Sequence, residues 1–394
     1  MKTLLFIIIL ISSLFSEDGS VQSTSSEKIQ HTTLFGPIKD LDVSTDGKFV
    51  VMGSLSGNIF IMNLEDKNNI VVFHTTLDDI TSIDLSEDMT MIIAGDLKGH
   101  VEVWNLPKKT LVRKIDGDTR EITSISISDD NTRMITISDH ESMKIWNMQT
   151  GALIATPISD KPDDDFQLRK DFAKLNGSNV FSLNGAKRVV DVFDSKTGEA
   201  RAKIPIFDEN MDYVPRNARF MMDQSIIFSV DNKNIILITL DEDRLCKDCK
   251  NLLNDNMCIK SFDIDTHTLK YKIPVKGRFP LLTLSKDGKY GILIEQYTDK
   301  IKVTRPKEST LLSSEIPREI ALLKRFDINS GEIIDTYVLS DELTTDRQAR
   351  LIRFAQIYEI LEGKYLTLAK DGGIDIWDIN QTVNNTINFS KETR

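Results

Sequence analysis

The residues with the plainest chemical potential are three cysteines confined to one stretch, Cys246-x-x-Cys249 followed by Cys258. In an oxidising compartment three thiols close one disulfide and leave one over, in a pairing that spacing alone leaves open; with His267 they would offer zinc three sulfurs and an imidazole. Lys250 stands where a c-type haem motif needs histidine, which excludes that attachment. Asp40, Asp42 and Asp84 alternate with apolar residues and could ligate a cation if their strands lined a common channel, which would permit metal-assisted hydrolysis. Gly53-Ser54-Leu55-Ser56-Gly57 has the outer glycines of a nucleophile elbow but Leu55 where the nucleophile must stand. The five histidines, His31, His74, His100, His140 and His267, show no paired metal spacing, and no Gly-rich phosphate loop is present. The expectation is a chain with no catalytic, cofactor-binding or metal residues and no cofactor.

The elements that would position these residues are set by a repeat. Gly36 to Leu64, Asp78 to Leu106 and Arg120 to Met148 superimpose with a step of 42 residues: Ile38, Ile80 and Ile122 correspond, as do Ser44, Ser86 and Ser128, then Asp46, Asp88 and Asp130, then Met62, Trp104 and Trp146. In the first unit Leu41 and Val43 alternate with Asp40 and Asp42, a turn falls at Thr45-Asp46-Gly47, Phe49 to Met52 is a continuous apolar run, and Ser56-Gly57 supplies a second hairpin before Ile59 to Met62. Two hairpins per unit and a period of about 40 to 45 residues describe a four-stranded propeller blade, which buries both faces only when neighbours stack on it.

The chain resembles the WD-repeat β-propellers at Val103-Trp104-Asn105, Ile145-Trp146-Asn147 and Ile376-Trp377-Asp378. Only the last carries the Trp-Asp pair itself; Ser56, Lys98 and His140 stand where the family has an aspartate, with Asp371 alone conforming. Weaker units follow at Val192-Phe193-Asp194, Ser261-Phe262-Asp263 and Arg325-Phe326-Asp327. Anchors at 62, 104, 146, 193, 262, 326 and 377 predict an all-β, seven-bladed β-propeller of four-stranded antiparallel blades. His31-Thr32-Thr33-Leu34 repeats as His74-Thr75-Thr76-Leu77, so an N-terminal strand is expected to complete the last blade; Thr386 to Phe389 is the competing closure.

Blades 5 and 6 carry insertions between their second and third strands, Asp241 to Met257 and Tyr297 to Glu319, on the face that also holds the links between blades. The first contains Asp241, Asp243, Arg244 and Lys247; in the second, Lys300, Lys302, Arg305 and Lys307 form a basic strip. Loops on a rigid scaffold are where binding residues concentrate. These eight residues are the expected partner contacts, with the acidic link Asp160 to Asp165 and Asp341 to Gln348 beside them.

Met1-Lys2 and the apolar stretch Leu4 to Phe15 fit a secretory signal peptide over residues 1–16; an uncleaved membrane tether is the alternative, since Leu14 takes a position where a small residue is preferred before the cut. A polar segment over 17–27, a propeller over 28–380 and a polar tail over 381–394 follow. Sequons at Asn176, Asn380, Asn384 and Asn388 are glycosylation candidates if the signal works. The net charge of −11 argues against nucleic acid, and no later apolar run reaches membrane length. The resemblance implies a non-catalytic scaffold binding protein partners, the N-terminal segment places it in the secretory pathway, and a monomer is expected; the alternative is a secreted propeller enzyme, a metal-dependent hydrolase or lactonase.

Overall fold

The computed structural model describes residues 22–23, 25–28, 36–66, 69–138, 143–157, 173–184, 189–206, 226–229, 233–240, 257–277, 280–307, 310–343, 354–369 and 373–379. Residues 1–16, Cys246, Cys249, Asp241, Asp243, Arg244, Lys247, Asn380, Asn384 and Asn388 lie outside them. The described residues form seven antiparallel blades. Blade 1 comprises Ile38–Val43, Phe49–Ser54, Asn58–Asn63 and Ile70–His74; blade 2, Ile80–Leu85, Met91–Asp96, His100–Asn105 and Thr110–Asp116; blade 3, Ile122–Ile127, Arg133–Ser138, Met143–Asn147 and Leu153–Ala155. Blade 4 comprises Ala173–Asn176, Asn179–Asn184, Val189–Asp194 and Ala200–Pro205; blade 5, Ile226–Phe228, Asn234–Leu240, Met257–Asp263 and Leu269–Val275. Blade 6 is built of Leu281–Leu284, Tyr290–Lys307, Thr310–Asp327 and Ile333–Leu343, and blade 7 of Phe354–Leu361, Lys364–Ala369 and Ile374–Asp378.

The recurring residues of the sequence explain these strands. Ser44, Ser86 and Ser128 each donate a hydroxyl to the aspartate two residues on, at 2.6, 2.8 and 2.7 Å, and Ser285 does the same to Asp287 at 2.7 Å. These side chains fix the turn between first and second strands, which is why Ser and Asp recur there. Hydrogen bonds from Ser128 and Thr132 hold the Asp130 carboxyl down at about 2. Gly53 and Gly95, also 42 apart, leave room for the next blade: a Cβ on Gly95 would stand 2.7 Å from the Ile122 side chain, and one on Gly53 2.5 Å from Ile80.

All seven anchors occupy equivalent third-strand positions and are buried. The indoles of Trp146 and Trp377 donate to Thr136 and Thr367, each on the second strand, both at 2.9 Å. Ala94 stands at the corresponding place in blade 2, so Trp104 donates instead to Glu102 on its own strand at 3.0 Å. Between blades the apolar faces meet in continuous layers, such as that joining Ile59, Ile80, Ile92 and Trp104.

The ring closes through an N-terminal strand. Ser25–Lys28 pairs antiparallel with the third strand of blade 7, Ser25 opposite Asp378 and Lys28 opposite Asp375, and becomes its fourth strand. Just before it, Gln22–Ser23 lies parallel to blade 6's outer strand, opposite Tyr337 and Val338. One short segment therefore grips two blades. The closing strand precedes His31–Leu34, which lies outside the described residues; in blade 1 the outer strand ends at His74.

Candidate functional site

First strands face the axis with one edge unpaired, and their backbone amides need partners there. The side chains of the preceding blade supply them. Gln356 of blade 7 accepts from the Leu41 amide at 3.3 Å; Asp40 accepts from Ile83 at 2.8 Å and Asp42 from Leu85 at 3.0 Å. Asp84 accepts from Ile127 at 2.7 Å, and Ser126 from Leu175 at 3.3 Å. The ladder runs in one direction from blade 7 through blades 1, 2 and 3 to blade 4, with Tyr358 adding a 2.7 Å bond to the Leu41 carbonyl and the Gln356 amide bonding Asp40.

Within these strands is a channel of about 740 Å³. Its wall is uneven: Asp40, Asp42 and Asp84 on blades 1 and 2, Ser124 and Ser126 on blade 3, Lys174 on blade 4, Ile227 and Leu282 on blades 5 and 6, and Tyr358 on blade 7. Desolvation raises Asp40 to about 6, lifts Asp42 and raises Asp84 well above the usual carboxylate range. The three acids were candidates for a metal or for open solvation; instead each spends an oxygen on a neighbouring backbone amide. Among the described residues no group of three or more His, Cys, Asp and Glu side chains could hold a metal ion. His267 sits in the turn after the third strand of blade 5, at φ 60°, while Cys258 is buried near that strand's other end, opposite Thr239. Five residues of strand span about 17 Å, so the two cannot share a zinc ion. Asn176 ends the first strand of blade 4, opposite Asn179 across a tight hairpin.

On the face bearing the links between blades, the two insertions differ. That of blade 5 leaves the described structure after Leu240 and returns at Met257. That of blade 6 is a ribbon, where the sequence suggested a loop: Tyr290–Lys307 pairs without a break against Thr310–Asp327, from Tyr290 opposite Asp327 to Lys307 opposite Thr310. The first strand stops at Leu281 opposite Ile294 and the fourth at Leu343 opposite Arg318. Lys300 to Lys307 therefore runs past the fourth strand by about 26 Å at the usual rise per residue. Leu293 packs towards blade 5 and Ile292 and Ile294 towards blade 7. Lys300, Lys302, Arg305 and Lys307 lie on the outgoing strand of this ribbon, in register with Pro317, Glu315, Leu312 and Thr310.

Sequence reasoning did not single out Gln356, Tyr358, Lys174 or Ser126. Ser126 was within reach, because Asp42, Asp84 and Ser126 are 42 apart and all three are acceptors.

Seven stacked blades around a stapled channel define a β-propeller. The Vps8 β-propeller family model matches residues 35–161, which hold the first three blades. No curated protein matches the chain. Among the described residues no helix is long and apolar enough to cross a membrane.

Proposed function

We propose that this chain is a non-catalytic, WD-repeat-like propeller that serves as a protein-binding scaffold in the secretory pathway, taking its partner on the face of blades 5 and 6. The carrying observation is the blade 6 ribbon, whose strands continue far past the sheet they belong to. Burial of a blade needs no such extension, so its cost in ordering is offset by contacts outside the ring. The equivalent placement of Trp104, Trp146 and Trp377 supports the WD-like reading, and the likeness of residues 35–161 to the Vps8 β-propeller supports a scaffold. The apolar stretch Leu4 to Phe15, the sequons and the clustered cysteines support the compartment. The channel acids staple blades together, which favours a structural role for them over hydrolysis.

Replacing Thr298 to Glu319 by an Asn-Gly turn, which keeps Tyr297 opposite Ile320, should leave the cooperative unfolding transition in place and lower partner recovery at least ten-fold in affinity purification from the secretory fraction. Full recovery by a variant also shortened between Leu240 and Met257 would remove this face from consideration.

A further inference from the structure

The outgoing strand of the blade 6 ribbon has a second edge. Its pairing with the first strand ends at Leu281 opposite Ile294, and Gly277 then meets it in a parallel bridge at Gln296. That close approach requires glycine, at φ 92°, because an added Cβ would run into the Gln296 carbonyl. The root is fastened on both sides: buried Glu295 accepts from the Lys276 amide at 3.0 Å and pairs with Lys324 at 2.7 Å. From Thr298 to Lys307, among the described residues, the outgoing strand is laddered to the return strand alone. Every second residue of that stretch therefore turns its backbone N–H and C=O away from the ladder.

The two edges of the ribbon differ. On the return strand Pro317 stands next to Arg318, the last residue opposite the fourth strand, and has no N–H to give. The outgoing strand meets no proline until Pro306, so Thr298 to Arg305 keeps a donor and an acceptor at every residue, over more than the length of an ordinary strand of about 5–6 residues. Charge separates the edges as well. Thr310 to Pro317 carries Glu315 alone, whereas the outgoing strand carries Lys300, Lys302, Arg305 and Lys307 against Asp299, in a chain of net charge −11. Two such ribbons laid edge to edge would set like charges opposite one another, which guards against self-pairing. An acidic strand meets attraction at the same positions.

We propose, resting on the reading of this face as the partner site, that the outgoing edge from Thr298 to Arg305 takes an acidic, extended segment of a protein partner as an added strand. Main-chain hydrogen bonds along the edge supply the affinity, and the basic residues beside them select the sign of the incoming segment. The anchored root holds the edge in one place, so little ordering remains to be done when the segment arrives. Strand addition engages the outward-turned amides directly, which contact with the ribbon's side chains alone does not.

Three short blocked peptides serve as probes for the intact chain: alternating Glu and Val, alternating Lys and Val, and alternating Glu and Pro, which has the charge of the first but cannot continue a ladder. The Glu-Val peptide should bind roughly ten-fold or more tightly than either of the others, with an affinity that falls as salt rises. With it bound, residue-resolved amide exchange should slow most at every second residue between Thr298 and Arg305. A chain carrying Lys300→Glu, Lys302→Glu, Arg305→Glu and Lys307→Glu, all beyond the fourth strand, should invert the preference between the acidic and basic peptides. Replacing Thr298 to Glu319 by Asn-Gly should abolish binding of both. Should the charge-reversed chain fail to fold, the wild-type exchange pattern decides alone. No binding of the Glu-Val peptide, equal binding of the Glu-Pro peptide, slowing without alternation, or undiminished binding by the shortened chain would overturn strand addition. So would a dimer of the free chain that shortening returns to a monomer, since a second copy would then fill the edge. Partner recovery tells the two readings apart: if shortening abolishes it while the peptides give any of these contrary results, the face stands as the partner site and only strand addition falls.

Discussion

Deleting Gln22 to Lys28 is expected to cost the propeller about 3–5 kcal/mol and to broaden or split its unfolding transition. The strand Ser25–Lys28 is paired over its whole length with Asp375–Asp378, and Gln22–Ser23 adds contacts with blade 6. A net value near 1 kcal/mol for each ladder hydrogen bond gives that magnitude before any apolar burial is added, and it is a large part of the 5–15 kcal/mol that holds a typical domain together. The deletion also leaves the third strand of blade 7 as an open edge, ready to pair with another chain. Urea unfolding and sedimentation of the deleted chain would show both effects, a lowered midpoint and association. An unchanged midpoint would mean that the ring closes without this segment.

Trp146→Ala should be nearly as damaging, at about 3–5 kcal/mol, the usual cost of emptying a buried aromatic site. The indole is 7% exposed and packs in the layer between blades 2 and 3 with Ile93, Val103 and Ile125. Its removal also strands the Thr136 hydroxyl, which is 2% exposed. Trp146→Phe refills much of the volume and loses the bond to Thr136, so a cost of about 1–2 kcal/mol is expected. Urea unfolding of the two variants separates packing from hydrogen bonding, and equal losses would show that the indole N–H carries the whole effect.

The first three blades were legible because the residues that recur do local work: Ser and Asp make the turn between first and second strands, Gly53 and Gly95 admit the next blade, and the large residue at 62, 104 or 146 fills the gap between sheets. Blades 4, 5 and 6 were fainter, since Phe193, Phe262 and Phe326 fill the same position without an indole N–H and the connections around them vary in length. The closing strand was placed too late because the repeated His-Thr-Thr-Leu is the conspicuous part of that stretch, whereas Ser25 to Lys28 is polar and earns its strand from the edge it meets. The ribbon did leave a trace: Lys300-Ile301-Lys302-Val303 alternates with period two, a strand signal obscured by its density of charge. The channel ladder was the least legible feature, because Gln356, Asp40, Asp84 and Ser126 become neighbours only when the ring is closed.

Amide hydrogen exchange of the chain, alone and bound to the partner it recovers from the secretory fraction, tests the central claim most directly. Slowed exchange on binding is predicted along Gln296 to Lys307 and Thr310 to Glu319, with the opposite rim, Ser44 to Lys48, Ser86 to Thr90 and Ser128 to Thr132, unaltered. Protection confined to that opposite rim, with the ribbon exchanging as it does in the free chain, would contradict the account.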